Sequence, residues 1–238
     1  MRLPVLMYHN VSGNDDPDRL NISPEILELH FRFLSEKGFT AISAQDLLRY
    51  EPGRNPLPEK SVLITFDDGY RSQFTNAYPL LIKYNLKAII FLSPGLLRTE
   101  KENSLSDYLH LDEVLSMKPD TVEFGFHGME HDNYEEISLP AILRDIESLQ
   151  YYFDLHHIPC QSCLAYPFGA FPRNNNERRM ILFKIFERKG IRLAFRIGNR
   201  INKLPLKNKY LVQRIDIRGN DPLWKFKWMI RFGRKWLP

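Results

Sequence analysis

Short apolar runs typical of β-strands alternate with helical segments along almost the whole chain. Eight such runs occupy residues 5–8, 40–42, 62–65, 88–92, 121–124, 163–166, 193–196 and 211–215. Helices are predicted between most of them, at about 23–38, 73–84, 138–153 and 177–189. This alternation predicts a parallel sheet with helices packed outside it. Seven or eight strands suit closure into a barrel, so we predict an α/β fold with a distorted (β/α)7-type barrel; a doubly wound open sheet is the alternative.

Length and composition indicate one ordinary globular domain, expected to span residues 1–238. The sequence has no internal repeat, low-complexity tract or Gly/Ser-rich linker, and the three prolines in 51–60 are interpreted as part of a surface loop. Its net charge is only +4, with 29 acidic residues among 33 basic ones, so nucleic acid is not an expected partner.

Two further features bear on the cellular location. The apolar start of the chain is short and interrupted by Pro4, and no stretch reaches the length of a membrane-spanning helix, which predicts a cytoplasmic protein. Cys160 and Cys163 are expected to be reduced thiols in a loop.

One apolar run ends abruptly in two carboxylates and a glycine, at Asp67, Asp68 and Gly69. Successive side chains of a regular strand point to opposite faces, so the two acids can share a site only where the strand breaks, and Gly69 permits that break. Their repulsion would then be offset by a cation, and a metal held by one carboxylate would leave the other ionised as a base. The alternative is an Asp-Gly turn with both acids in water.

A second apolar run ends in two histidines four residues apart, His127 and His131. Both imidazoles can reach one metal ion. The zinc-peptidase helix motif has Glu directly after the first His, whereas Gly128 stands here, so a peptidase is not favoured. Together with Asp68 the histidines make a three-ligand set with an open position, as expected of a catalytic zinc. Without Asp68 they would be interpreted as two surface or packing histidines.

These motifs resemble those of the carbohydrate esterase family 4 polysaccharide deacetylases, relatives of the nodulation chitooligosaccharide deacetylase. Residues 65–69, Thr-Phe-Asp-Asp-Gly, reproduce the first family motif in full. Residues 127–131 resemble the second, which usually has Ser or Thr where Gly128 stands. The similarity extends from His9 to about Arg214, nearly the whole chain.

The resemblance implies a hydrolase of carbon–nitrogen bonds other than peptide bonds. It would remove N-acetyl groups from the amino sugars of a polysaccharide, an oligosaccharide or a lipid-linked glycan and release acetate. The resemblance also implies that Asp67 is the catalytic base and that a divalent metal, expected to be zinc, is bound by Asp68, His127 and His131.

The start of the chain resembles one branch of this family. Residues 5–12 are similar to the N-terminal signature of the branch that includes biofilm poly-N-acetylglucosamine deacetylases, in which the acid histidine comes first in the chain. By that resemblance His9 is the general acid. Its place just after a strand predicts a position at the mouth of the barrel.

The third family motif is represented by residues 165–169, but Ala165 stands where an arginine is common. The motif implies that the backbone N–H of Phe168 helps to bind the oxyanion. Because the usual arginine orients the base, another group must replace it. Arg214 near the end of a late strand is the candidate, with Asp216 a weaker one; the alternative for Arg214 is an ordinary surface arginine.

Two other functions stay open at this point. The chemistry of the predicted site would serve a metal-dependent amidohydrolase acting on a small non-sugar amide. The absent motif arginine and Gly128 would also fit a degenerate member that binds glycans without hydrolysing them.

The C-terminal segment 221–238 has no acidic residue after Asp221. On a helix, one face would carry the basic residues Lys227, Arg231, Arg234 and Lys235. Another would carry Leu223, Phe226, Met229 and Ile230, with Trp224, Trp228 and Trp236 around them. One interpretation is a last helix that closes the barrel with its basic face in water. The other is peripheral contact with the anionic cytoplasmic face of a membrane, where an enzyme of lipid-linked sugars would meet its substrate.

Overall fold

A computed structural model of the chain describes residues 1–13, 20–97 and 107–234. In chain order its strands are β1 (Arg2–Leu3), β2 (Val5–Tyr8), β3 (Asn10–Val11), β4 (Asn21–Ile22), β5 (Thr40–Ala41), β6 (Ser61–Phe66), β7 (Ala88–Leu92), β8 (Val122–Phe126), β9 (Cys160–Ala165), β10 (Leu193–Ile197), β11 (Asn202–Lys203) and β12 (Val212–Asp216). The α-helices are α1 (Pro24–Glu36), α2 (Ala44–Arg49), α3 (Tyr78–Lys83), α4 (Leu111–Ser116), α5 (Leu139–Leu155), α6 (Asn176–Arg188) and α7 (Leu223–Phe232).

Seven parallel strands form a closed barrel. Their order is β2, β12, β10, β9, β8, β7 and β6, and β6 pairs back with β2. The register sets Leu6 opposite Ile215 on one side and opposite Ile64 on the other. The predicted single-domain (β/α)7-type barrel is therefore confirmed, and an open sheet is excluded because β2 and β6, which would be its edges, are joined. The remaining predicted strand, β5, pairs with the start of β6.

Strand alternation divides the core into two layers. On β6, Leu63 packs inside the barrel with residues such as Phe91 and Phe195, whereas Ile64 and Phe66 pack outward against the helices. Each fully buried side chain of this size contributes about 1.5–3 kcal/mol. In the described part of the chain no helix combines the length and apolar character needed to cross a membrane.

The helix predicted at 73–84 is interrupted by a turn of π-helix, Gln73–Ala77, which leads into α3. The Gln73 side chain is buried and donates hydrogen bonds to the backbone oxygens of His9, at 3.0 Å, and Asp67, at 2.6 Å. We attribute the wider turn to this anchoring, because π-turns frequently occur where a helix serves a functional site.

The expectation that both cysteines lie in a loop was wrong. Cys160 and Cys163 belong to β9, and Cys163 pairs in register with Leu193 and packs inside the barrel. Both thiols are free. A small apolar thiol suits such a buried strand position.

The carboxyl ends of the barrel strands meet at one end of the molecule. His9 follows β2, Asp67 follows β6 and His127 follows β8. Because all seven strands are parallel, these residues converge on the same rim.

Candidate active site

A cavity of about 520 Å³ opens at this rim. The polar and aromatic residues that line it are His9, Asp67, Asp68, His127, His131 and Phe168. Met7, Leu20 and Ile197 form its apolar wall. Six of the seven residues predicted to form a site therefore line one cavity, and the seventh, Arg214, contacts Asp67 from inside the barrel.

The two adjacent carboxylates share this cavity because the strand breaks between them. Asp67 still pairs with β2, through its N–H to the Tyr8 oxygen at 3.0 Å. Asp68 and Gly69 then both take positive φ angles, 73° and 76°. The break thus begins one residue earlier than predicted, at an aspartate, a residue type that tolerates the left-handed region.

Asp67 is held by a buried arginine. It is 2 % exposed, and its two carboxylate oxygens accept hydrogen bonds from Nη1 and Nη2 of Arg214, at 2.5 and 2.8 Å. Arg214 is fully buried, with its guanidinium 5.5 Å from the Phe91 ring centroid. Arg214 is therefore not a surface arginine. A two-pronged ion pair of this kind fixes the orientation of the carboxylate as well as its charge.

The surroundings of Asp67 keep it ionised. Burial acts to raise its pKa, but the charges of Arg214, His127 and His9, together with the hydrogen bonds from Arg214, outweigh burial and hold the pKa well below its ordinary value. Asp67 is therefore ionised at neutral pH.

Asp68, His127 and His131 form a compact donor set. Oδ1 of Asp68 lies 3.3 Å from Nε2 of His127 and 3.3 Å from Nε2 of His131, and the three donor atoms lie within 4.8 Å of one another. Atoms that bind one tetrahedral zinc at about 2.0–2.2 Å are themselves about 3.4 Å apart. Oδ1 of Asp68 is also buried and accepts no hydrogen bond within the described ranges. The set therefore fits a metal ion.

The orientation of His127 supports this fit. Its Nδ1 lies 2.9 Å from the backbone oxygen of Ala165, so Nδ1 carries the proton and Nε2 turns a lone pair toward the cavity. Ala165 thus contributes its carbonyl at the position where the family commonly has an arginine side chain.

The three donors differ in their protonation preferences. Burial raises the pKa of Asp68, but the neighbouring His127 outweighs it, so the pKa is lowered. For His127, burial lowers the pKa while Asp67 and Asp68 raise it, with a net increase. Burial and the charge of His127 lower the pKa of His131. A positive charge is thus favoured between the carboxylates.

The backbone conformation of the loop between the two histidines accounts for the glycine at position 128. Gly128 has a φ of 80°, and a Cβ there would lie 3.1 Å from Cγ of Pro167. His131 also has a positive φ, 57°, and its ring packs edge-on against Phe168 with 4.4 Å between centroids. Asp145 anchors the loop by accepting a hydrogen bond from the Met129 N–H.

Both carboxylate oxygens of Asp145 take part in this anchoring. One oxygen accepts from the Met129 N–H at 2.7 Å and the other from the Tyr134 hydroxyl at 2.5 Å. The Gly95 N–H also donates to the Met129 oxygen at 2.8 Å. The His131 side chain is thereby positioned by a loop whose main chain is bonded at several points.

His9 also lies beside Asp67, whose Oδ2 is 3.6 Å from Nε2 of His127. Nε2 of His9 is 3.9 Å from Oδ2 of Asp67, and its Nδ1 is buried without a hydrogen-bond partner among the residues described. Burial lowers the pKa of His9 and outweighs the opposite effect of Asp67 and Asp68.

Phe168 stands at the mouth of the cavity on a tight turn. The Gly169 N–H donates to the Tyr166 oxygen at 2.8 Å, and Phe168 takes φ 57° and ψ 7°, angles that glycine usually supplies at this turn position. Its ring is 64 % exposed. Strained backbone of this kind tends to persist at functional sites. Asp68, His131 and Phe168 all have it.

Some residues that shape the site gave little signal in the sequence. Gln73 and Asp145 act on it through the main chain, and only their polarity within apolar helical faces could have drawn attention to them. Asp216 does not line the cavity. Its Oδ2 lies 3.1 Å from Nε of Arg218.

Comparison with known proteins identifies the family. Residues 54–180, just over half of the chain, match the family model described as polysaccharide deacetylase. The chain belongs to this family. Membership confirms the resemblance of the motifs, and relatives named as N-deacetylases are of the predicted class of enzyme, hydrolases of carbon–nitrogen bonds other than peptide bonds.

Curated relatives cover different parts of the chain. YxkH of Bacillus subtilis (strain 168) is 26% identical over 171 residues, which are 71% of this chain and 58% of the relative. The poly-beta-1,6-N-acetyl-D-glucosamine N-deacetylase of Escherichia coli (strain K12) is 33% identical over 86 residues, 36% of this chain and 13% of the relative. The enzyme of the same name from Staphylococcus aureus (strain MSSA476) is 24% identical over 213 residues, 86% of this chain and 70% of the relative. The chain thus spans less than two thirds of the first two relatives.

Solved structures agree with the fold. The Streptococcus pyogenes deacetylase PplD, in complex with acetate, superposes with a TM-score of 0.77 at 22% identity, covering 92% of this chain and 94% of its own. IcaB from Ammonifex degensii gives a TM-score of 0.75 at 20% identity, covering 98% and 97%. At these identities the likeness establishes the barrel architecture.

Proposed function

We propose that this chain is a zinc-dependent N-deacetylase that releases acetate from the amino sugars of a polysaccharide, oligosaccharide or lipid-linked glycan, with residues 1–238 forming its catalytic domain in the cytoplasm. The observation that carries the proposal is the single cavity in which an arginine-paired carboxylate, Asp67, adjoins the donor set of Asp68, His127 and His131. Relatives named as N-deacetylases of poly-beta-1,6-N-acetyl-D-glucosamine support it.

The metal would be held by Asp68, His127 and His131. Two imidazoles and one carboxylate with an open position suit zinc in a catalytic site. A metal bound there supplies Lewis-acid polarisation of the acetyl carbonyl and lowers the pKa of water.

Asp67 is the base that accepts a proton from the attacking water. Arg214 aims its carboxylate and keeps it ionised before the reaction.

His9 donates a proton to the sugar nitrogen as the amide bond breaks. Its Nε2 lies 3.9 Å from Oδ2 of Asp67, the same oxygen that lies 3.6 Å from Nε2 of His127, so the proton donor and the metal site adjoin one carboxylate. The backbone N–H of Phe168 binds the oxyanion, positioned by the tight turn at the mouth. The products are acetate and a free amino sugar.

Two features favour a glycan substrate over the alternatives. The exposed Phe168 ring at the mouth offers an apolar face on which a sugar ring can pack. A member that only binds glycans is not favoured, because Arg214 pairs with both oxygens of Asp67 although the motif arginine is absent at Ala165.

Acetate release from a panel of N-acetylated oligosaccharides and small amides, with zinc supplied, tests the proposal. We expect turnover of the oligosaccharides and its loss in Asp67→Asn. Asp120→Asn, at an exposed aspartate outside the cavity, is the matched control and should retain full activity. Equal activity in the wild type and Asp67→Asn would contradict the mechanism, and turnover of small amides alone would replace the substrate class.

A further inference from the structure

The outward side of α7 is basic and aromatic. Its inward residues Phe226, Met229 and Ile230 are buried against the barrel and α1, so the barrel-closing interpretation holds for that side. The opposite side presents, at intervals of three and four residues, Trp224, Lys227, Trp228 and Arg231. Trp224 is 57 % exposed and both basic residues are exposed. Lys235 and Trp236, predicted to extend this helix, lie outside the described residues.

A basic groove continues from the end of α7. It has a volume of about 950 Å³, and its exposed cations are Arg2, Arg200, Lys203 and Lys207. Phe232 of α7 lines it, and Arg2 donates a hydrogen bond to the Arg231 oxygen at 2.7 Å. No carboxylate is among the described residues that line the groove. We call the outward side of α7 and this groove together the basic face.

Among the described residues, no carboxylate forms an ion pair with the exposed cations of the basic face. Residues 192–213, which include three of the groove cations, contain six basic residues and no acidic one. Asp221, just before α7, is buried and pairs with Lys225 at 3.2 Å and with Arg234. Four groove cations and two on the helix thus add to one field on one side of the molecule.

We propose that the basic face docks on an anionic lipid bilayer. Clustered Lys and Arg side chains are attracted to anionic headgroups, and Trp side chains favour the interface between headgroups and acyl chains. A soluble polyanion would satisfy the cations but would leave the exposed ring of Trp224 in water.

Docking through this face leaves the catalytic cavity accessible. The helix α7 begins shortly after the carboxyl end of β12 and ends near Arg2 at the opposite end of the barrel. The bilayer would therefore lie along the side of the barrel, with the cavity mouth at one end of the contact. The inference concerns binding alone and does not depend on the deacetylase activity.

Removing α7 would be a poor test, because its inward side belongs to the core. His30 stacks on Phe226 with 3.7 Å between ring centroids, and loss of that packing would destabilise the fold. Substitutions on the outward side avoid this problem. The double variant Lys227→Glu/Arg231→Glu removes charge, and Trp224→Ser removes the most exposed aromatic ring.

Matched controls exist on other helices. Lys184 and Arg188 are exposed on α6 with the same four-residue spacing, and Tyr151 is an exposed aromatic on α5. Lys184→Glu/Arg188→Glu and Tyr151→Ser therefore change the same charge and comparable apolar area elsewhere. Thermal melting verifies that each variant is folded, independently of any catalytic activity.

Co-sedimentation with phosphatidylglycerol vesicles, compared with phosphatidylcholine vesicles, measures the docking. We expect binding to phosphatidylglycerol at low salt that weakens at high salt. Each basic residue at an anionic surface is worth about a five-fold change in affinity, so Lys227→Glu/Arg231→Glu should weaken binding at least about 25-fold. Trp224→Ser should weaken it several-fold, and both controls should bind like the wild type.

Three results would overturn the proposal. One is no binding to phosphatidylglycerol vesicles at low salt. The second is equal weakening by the α6 control, which would make the attraction a property of net charge. The third is binding that survives Trp224→Ser unchanged and is fully displaced by soluble polyphosphate, which would identify a polyanion site instead.

Discussion

Two neighbouring aspartates divide the cavity at the barrel rim into halves with different physical character. Asp67 is inside the barrel, where both oxygens bond to the buried Arg214. Asp68 turns away through a positive φ, and its buried Oδ1 faces the imidazoles of His127 and His131 without accepting a hydrogen bond from the described residues. One carboxylate is fully satisfied by the protein and the other is not.

This difference predicts that one half of the cavity contributes to the stability of the fold and the other to metal binding. The half around Asp67 is a closed ion pair within the core, so its disruption should cost stability. The half around Asp68 is carried by loops at the rim and fits a cation, so we expect its disruption to cost metal affinity and little stability.

The largest expected effect is on the Arg214 side. Arg214→Met would leave the carboxylate of Asp67 buried without its partner, and we expect a loss of about 3–5 kcal/mol in the free energy of unfolding. Denaturant unfolding measures it. Arg54→Met, at an exposed arginine, should change stability by less than about 0.5 kcal/mol. A loss below about 1 kcal/mol in Arg214→Met would remove the distinction between the halves.

The second effect is on the ligand side. His131→Ala should raise the dissociation constant for zinc more than about 100-fold, because a ligand is lost outright, while the melting temperature of the metal-free protein stays within a few degrees. Equilibrium dialysis and thermal melting of the metal-free protein provide both values. Unchanged zinc affinity would show that His131 is not a ligand.

A smaller effect concerns the loop that carries His131. Asp145→Asn weakens one of the two hydrogen bonds to Met129 and Tyr134, so we expect zinc affinity to fall about ten-fold. Asp154→Asn, at an exposed position on the same helix α5, is the control. Equal zinc affinity in both variants would mean that Asp145 does not position the ligand.

The smallest expected effect is on the pH dependence of stability, and it concerns His30, a buried histidine whose pKa no neighbouring carboxylate raises. Burial lowers the pKa of His30 to about 3, whereas two carboxylates raise that of His127. The unfolded chain takes up a proton on His30 below about pH 6.5, and the folded chain does so only near pH 3. The free energy of unfolding therefore decreases as the pH is lowered through that interval. Between pH 7 and 5.5 we expect a loss of about 1 kcal/mol that is absent in His30→Gln, measured by urea unfolding at both pH values. The same pH dependence in both proteins would assign the titration to other groups.

The barrel strands can be predicted from the sequence because each one is marked by a short apolar run of neighbouring residues. Each of the eight predicted apolar runs became part of a strand, since a strand buried on both faces reads as a continuous apolar segment. The ligand candidates were accessible for a similar reason: polar residues directly after buried strands must face the rim of a parallel barrel.

Contacts between distant segments are less accessible to sequence reasoning. Arg214 lies 147 residues from Asp67, and only its position near the end of a strand suggested the pairing. The hydrogen bonds of Gln73 to two backbone oxygens and of Asp145 to a loop leave no periodic pattern. The positive φ angles of Asp68, His131 and Phe168 depend on tertiary packing and not on residue type alone.

The zinc content of Asp67→Asn and Asp68→Asn, measured beside acetate release, tests the division of the cavity most directly. We expect Asp67→Asn to retain its zinc and lose nearly all acetate release, because only the proton acceptor is removed. Asp68→Asn should lose most of its zinc together with its activity. Equal loss of zinc in the two variants, or full activity in Asp67→Asn, would contradict the assignment of different roles to the two aspartates.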